Sequence, residues 1–185
     1  GIGAAIDMED GPKGYGMHSD QERLLEPRTG QPGGQKCYTA ATTPAAGSEI
    51  ALQVTGTGAA NLPADTKAVF LNITTVNTDA AGWLVAYPCG TPRPTSASNV
   101  NQIPGKVRAN LVAAKVGTNG KVCLYTYSAT DIVVDLMGSA PAASTFVATT
   151  PERVLETPVS EGPINYTPSR PVAGQTPAVQ VLGLG

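Results

Sequence analysis

The residues best equipped for chemistry are few and scattered. The single histidine is His18, and three cysteines stand at 37, 89 and 123. A Ser-His-Asp or Cys-His centre needs its histidine held rigidly beside a nucleophile. His18 sits in the Gly-rich cluster GPKGYGMHSD, which gives it no such support. Zinc asks for four ligands at matched spacing, and dispersed cysteines with one histidine do not supply them. The loop GTGAAN at Gly56–Asn61 has no helix after it to complete a phosphate cradle. No catalytic residue, cofactor site or metal site is expected, and the chain reads as a non-enzyme.

Three sets of polar or aromatic residues remain. Asn72, Asn99, Asn101 and Asn110, with Asp135, fall on or beside predicted strands, where such residues are disfavoured. They read either as an oxygen-rich calcium site or as a hydrogen-bond network fixing strand register. One carboxylate is thin for Ca²⁺, so the network is the stronger reading. Trp83, Tyr87, Tyr125 and Tyr127 form an aromatic stripe, a candidate carbohydrate face. Sandwich core or cross-strand pairing would place the same residue types there, and weighs more. Asn72-Ile73-Thr74 and Asn165-Tyr166-Thr167 match the glycosylation acceptor pattern. The first is explained by strand alternation, and Pro168 disfavours the second.

Strands must position these residues. Lys67–Val76 (KAVFLNITTV) alternates cleanly, with Val69, Leu71 and Ile73 on one side and Phe70, Asn72 and Thr74 on the other. This is the expected central strand. Further strands are predicted at Arg23–Glu26, Lys36–Ala41, Glu49–Thr55, Gly82–Tyr87, Ser96–Asn101, Val107–Val116, Lys121–Tyr127 and Thr130–Met137. Gly117–Gly120 (GTNG) reads as a hairpin turn between the seventh and eighth of these nine. Cys89 ends one strand and Cys123 lies inside another, which suits a cross-strand bridge with Cys37 left over. All three could instead be buried thiols. A bridge would close a loop of roughly 35 residues and contribute on the order of 3 kcal/mol.

Bulk properties agree with this. Of 185 residues only 14% are charged, while Gly (21) and Pro (16) punctuate the chain throughout. Short strands joined by Gly/Pro turns satisfy both facts, and no window has helical spacing with caps. The expected class is an all-β, antiparallel β-sandwich-like domain. A net charge of −2 with scattered basic residues gives no reason to bind nucleic acid. No apolar run is long enough to span a membrane as a helix. The N-terminus lacks the basic and apolar regions of a signal peptide. Gly1 fits either signal cleavage or loss of an initiator Met, which imply different compartments.

Four regions follow. Residues 1–22 are an extended arm, with Ile2, Ile6 and Met8 as anchors for a partner if it is not a mobile tail. Residues 23–140 are the sandwich, and 141–150 a linker. Residues 151–185 repeat the opening of the domain. Arg153-Val154-Leu155-Glu156 echoes Arg23-Leu24-Leu25-Glu26, Pro171–Gly174 echoes Pro44–Gly47, and Ala178-Val179-Gln180-Val181 echoes Ala51-Leu52-Gln53-Val54. Val154, Leu155, Val179 and Val181 would be apolar strand residues with no domain of their own to cover them. They would dock on the first domain, donate strands to another chain, or belong to a longer repeat protein.

The series RLLEPRTG, ALQVTGTG, AVFLNITTVNTDAAGWLVAYPCGTPRPTSASNVN and RANLVAAKVGTNGKVCLYTYSATDIVVDLMG resembles a repeat in actinobacterial secreted and cell-surface proteins. Related modules occur in virion proteins of phages infecting those bacteria. The resemblance covers about residues 23–138 and, truncated, 151–185. It implies a non-catalytic β domain used in tandem, and no family catalytic residue to carry over. The expected function is a structural assembly subunit, outside the cell or on a virion, with copies of itself or other structural proteins as partners. A surface adhesion or carbohydrate-binding module is the alternative.

Overall fold

A computed structural model describes residues 22–25, 43–56, 62–155, 171–179 and 181. The chain divides into two compact units, residues 1–150 and 151–185. The first is a two-sheet sandwich of eight described strands: β1 (Glu22–Leu25), β2 (Glu49–Gln53), β3 (Ala68–Val76), β4 (Gly82–Pro88), β5 (Val100–Gln102), β6 (Arg108–Lys115), β7 (Lys121–Thr126) and β8 (Asp131–Ala140). Sheet A has the order β1-β8-β3-β6 and sheet B the order β2-β7-β4-β5. All the pairings are antiparallel. The all-β sandwich expected from the sequence is the architecture observed.

The pairings also define a topology. β1 lies on β8, β2 on β7, β3 on β6 and β4 on β5. That is one long antiparallel ribbon, folded at β4–β5 and wound into two sheets: an eight-stranded jelly roll. Its strand order removes one expectation. Asn119 and Gly120 do occupy the left-handed region (φ 56° and 70°), as Asn-Gly turn chemistry requires. Yet GTNG does not close a hairpin, because β6 belongs to sheet A and β7 to sheet B. The turn is a crossover between layers. It is pinned by bonds from Thr118 N to Cys89 O (2.8 Å) and from Val54 N to Gly120 O (3.0 Å). Gly117 is required there by space, since a Cβ would run into the backbone of Cys89.

β3 is an interior strand of sheet A, paired with β6 on one side and β8 on the other. Its inward residues Val69, Leu71 and Ile73 are fully buried against Leu52, Leu84, Val122, Leu124, Ile132 and Val134. Burying each such aliphatic side chain contributes about 1.5–3 kcal/mol. On the outer side Phe70 meets Phe146 at 5.3 Å, so residues following β8 return over sheet A. At one end of the sandwich the polar groups satisfy one another. Buried Gln102 donates to Thr126 Oγ1 (2.8 Å) and accepts from Ser128 N (3.2 Å). Asp131 accepts from Thr43 and Asn77.

The sequence places a strand at Ser96–Asn101, but β5 spans only Val100–Gln102. The predicted strand Lys36–Ala41, and Cys37 and His18, lie outside the described residues. In the second unit no strand forms among the described residues, but Val172–Gln175 make a turn closed by Gln175 N to Val172 O (3.0 Å). Its counterpart at Ala45–Ser48 closes identically (3.2 Å), with Gly47 and Gly174 both left-handed (φ 74° and 80°). Pro44–Gly47 and Pro171–Gly174, matched in sequence, thus share a turn conformation.

Candidate functional site

Alternation along β4 sends Leu84 and Ala86 into the core and Trp83, Val85 and Tyr87 to the outer face of sheet B. β7 does likewise, with Val122 and Leu124 inward and Cys123 and Tyr125 outward. Register then brings the outward residues together. Val85 is opposite Tyr125 and Tyr87 opposite Cys123, while Tyr127 N bonds Trp83 O at 2.9 Å. The aromatic stripe therefore lies on the outer face of sheet B, where it pairs across strands, the second of the two structural readings, and does not enter the core between the sheets.

The rings pack on each other. Trp83 stands 5.2 Å from Tyr125 and 6.0 Å from Tyr127, the latter nearly parallel at 23°. Tyr127 is 54% exposed. Beneath them Val85, Tyr87, Cys89 and Cys123 form a second buried cluster, separate from the main core. The Cys89–Cys123 disulfide is formed, with Cα atoms 5.0 Å apart, and staples β4 to β7 on this face.

Two charged residues complete the face. Glu49, opposite Tyr125 on β2, accepts a hydrogen bond from the Tyr87 hydroxyl. Burial and this carboxylate push the Tyr87 phenol well above the usual phenol range, with Arg93 acting in the opposite sense. Arg93 comes from the Pro-rich connection after β4. Its guanidinium carbon sits 4.0 Å above the Tyr125 ring and 5.6 Å from the Trp83 ring. Among the described residues Arg93 has no carboxylate partner. Sequence reasoning missed Arg93, because nothing local shows that this loop folds back over sheet B. The alternation of β7, with a Tyr on the same face as the bridged Cys, was the available hint.

The asparagines do not converge on a cation. Asn72 and Asp135 are register partners on the outer face of sheet A. Asn101 is opposite Trp83 on sheet B and accepts from Ser98 Oγ at 3.0 Å. Asn99 and Asn110 tie the edges of the two sheets together, with Asn110 Nδ2 donating to Asn99 O at 2.8 Å. Among the described residues no group of three or more His, Cys, Asp or Glu side chains gathers anywhere.

Of the assembly candidates, Ile2, Ile6 and Met8 lie outside the described residues. Val154 is 41% and Val181 67% exposed, while Leu155 and Val179 are partly buried. Their counterparts Leu24, Val54, Leu25 and Leu52 are buried in the jelly roll. Among the described residues no helix is long and apolar enough to cross a membrane. No protein-family model matches the chain, and no curated protein or solved structure matches it.

Proposed function

We propose that the chain is a non-catalytic structural subunit of an extracellular filament or fibre, or of a phage virion. One observation carries the reading. The sequence repeated after Pro151 is that of β1 and β2, the two strands that occupy the same lateral edge of the sandwich, one in each sheet. β1 completes sheet A by adding to β8, and β2 completes sheet B by adding to β7. In this unit β8 and β7 already carry β1 and β2, so a second segment of this type adds outside β1 and β2 or takes the β8–β7 side of a jelly roll from which they are displaced. Supplied between subunits, it links them head to tail, a geometry that makes rings or filaments. The exposed valines 154 and 181, against buried counterparts, support that use.

A disulfide between buried cysteines fits an oxidising location, outside the cell or on a particle surface. The low charge and the resemblance to actinobacterial and phage surface repeats point the same way. Light scattering on the full chain and on a chain shortened to Thr150 tests the proposal. Multimers of the full chain and monomers of the shortened one are expected. A compact monomer in both, or identical assembly in both, refutes it. The alternative, a surface adhesion or carbohydrate-binding module, draws on the aromatic face of sheet B.

A further inference from the structure

We infer that the outer face of sheet B, around Trp83, Tyr127 and Arg93, is a binding site for carboxylate-bearing saccharides. The site does not depend on assembly, since every residue in it belongs to one jelly roll.

Arg93 carries the argument. A guanidinium has five coplanar N–H donors and stays charged at any physiological pH. Here it is half-buried, with its charge set over the Tyr125 ring and no salt bridge to a carboxylate among the described residues. A cation–π contact satisfies charge but takes none of the N–H donors. A planar acceptor of two hydrogen bonds is what that edge lacks, and a carboxylate is the group that fits.

The surroundings select the rest of the ligand. Trp83 and the exposed Tyr127 offer ring surface on which the C–H face of a sugar can lie. Asn101, exposed beside Trp83, has its oxygen engaged by Ser98, leaving its amide N–H groups for a hydroxyl. The nearby Glu49 carboxylate is held by the Tyr87 hydroxyl. It discriminates against anionic groups bound on the β2 side, so the ligand's carboxylate is directed to Arg93. The face is an open sheet surface, suited to an extended glycan chain. The ring set is fixed from beneath by the disulfide and Val85, so little ordering is needed on binding.

Trp83 is the only tryptophan in the chain, so its fluorescence reports this face alone. The full oxidised chain is titrated with oligogalacturonate, a hyaluronan oligosaccharide and a sialyl-oligosaccharide, alongside methyl-esterified oligogalacturonate and an acidic peptide. A saturable Trp83 response to at least one acidic glycan is expected, weakened about tenfold or more by esterification, given the strength of charge-assisted bonds. Arg93→Gln should abolish that discrimination while the thermal midpoint holds, and Arg93→Lys should restore only part of it. Glu49→Gln should tighten acidic-glycan binding. Silence with all three glycans overturns the inference. So does equal binding of ester and acid, or a response to the peptide alone.

Discussion

Asn99 gives the sharpest test of how sheet B is held at its short edge. β5 covers only Leu84, Trp83 and Gly82 of β4, so β4 runs on toward Pro88 with no strand beside it on that edge among the described residues. The Ala86 N–H faces this gap, and Ala86 is only 1% exposed. Asn99 fills it. Its backbone N donates to Leu84 O (2.8 Å), and its side-chain Oδ1 accepts from Ala86 N (2.7 Å). The side chain thereby continues the ladder by one bond where the backbone turns away. Asn99→Ala orphans a buried N–H, a loss of about 1–3 kcal/mol. For a unit of this size that lowers the thermal midpoint by roughly 2–12 °C. Asn99→Asp keeps the acceptor and should stay within about 0.5 kcal/mol of the parent. Urea and thermal denaturation of the oxidised protein measure both. If Asn99→Ala is neutral, or if Asp is as damaging as Ala, the side chain is not acting as a strand.

Two further outcomes follow from the same face. Replacing Cys89 and Cys123 together by Ser removes a cross-link with 34 residues of sequence separation, and should cost about 3–4 kcal/mol in urea unfolding; a loss below about 1 kcal/mol would count against a restraint on the unfolded chain. Tyr87 sets an alkaline limit. Its folded pKa lies above the unfolded value of about 10, so its contribution is intact below that pH and drains away as pH rises toward the folded value. The other five tyrosines are common to the parent and Tyr87→Phe, so the difference between their stability–pH curves isolates this residue. The parent should lose stability more steeply above about pH 10, and parallel curves would refute the assignment.

The strands themselves were legible because period two is a local property. Val69, Leu71 and Ile73 read as one face from sequence and are one face in the core. Pairing is not local. GTNG has the residues of a two-stranded turn, and Asn119 and Gly120 adopt the left-handed geometry they suggest. That geometry reverses the chain equally well into the same sheet or the opposite one. What decides is that β6 pairs with β3, more than thirty residues earlier, and β7 with β4 and β2. No window around the turn contains that information.

The candidate site shows a similar split. Trp83, Val85 and Tyr87 could be placed on one face, but not on the outer one, because Leu84 and Ala86 are apolar too and β4 is buried along both sides. Inward direction follows from the smaller, purely aliphatic residues joining Leu52 and Leu124, while the rings and the cystine cover the outside. Arg93 was invisible for a different reason. A Pro-rich segment read alone is only extended and exposed. Its value arises where it crosses sheet B and meets the Tyr125 ring.

The jelly-roll winding also sets where the chain enters the first strand and leaves the last. β1 and β8 are antiparallel neighbours, with Glu22 opposite Leu136 and Leu25 near Val134. The chain thus enters β1 at the same end of the sandwich at which it leaves β8. The opposite end is closed by the Asp131, Thr130 and Gln102 hydrogen bonds. The residues after β8 do not stay at that end, since Phe146 lies against Phe70 on the outer side of sheet A. The ring face, with Arg93 set over Tyr125, belongs to the other sheet.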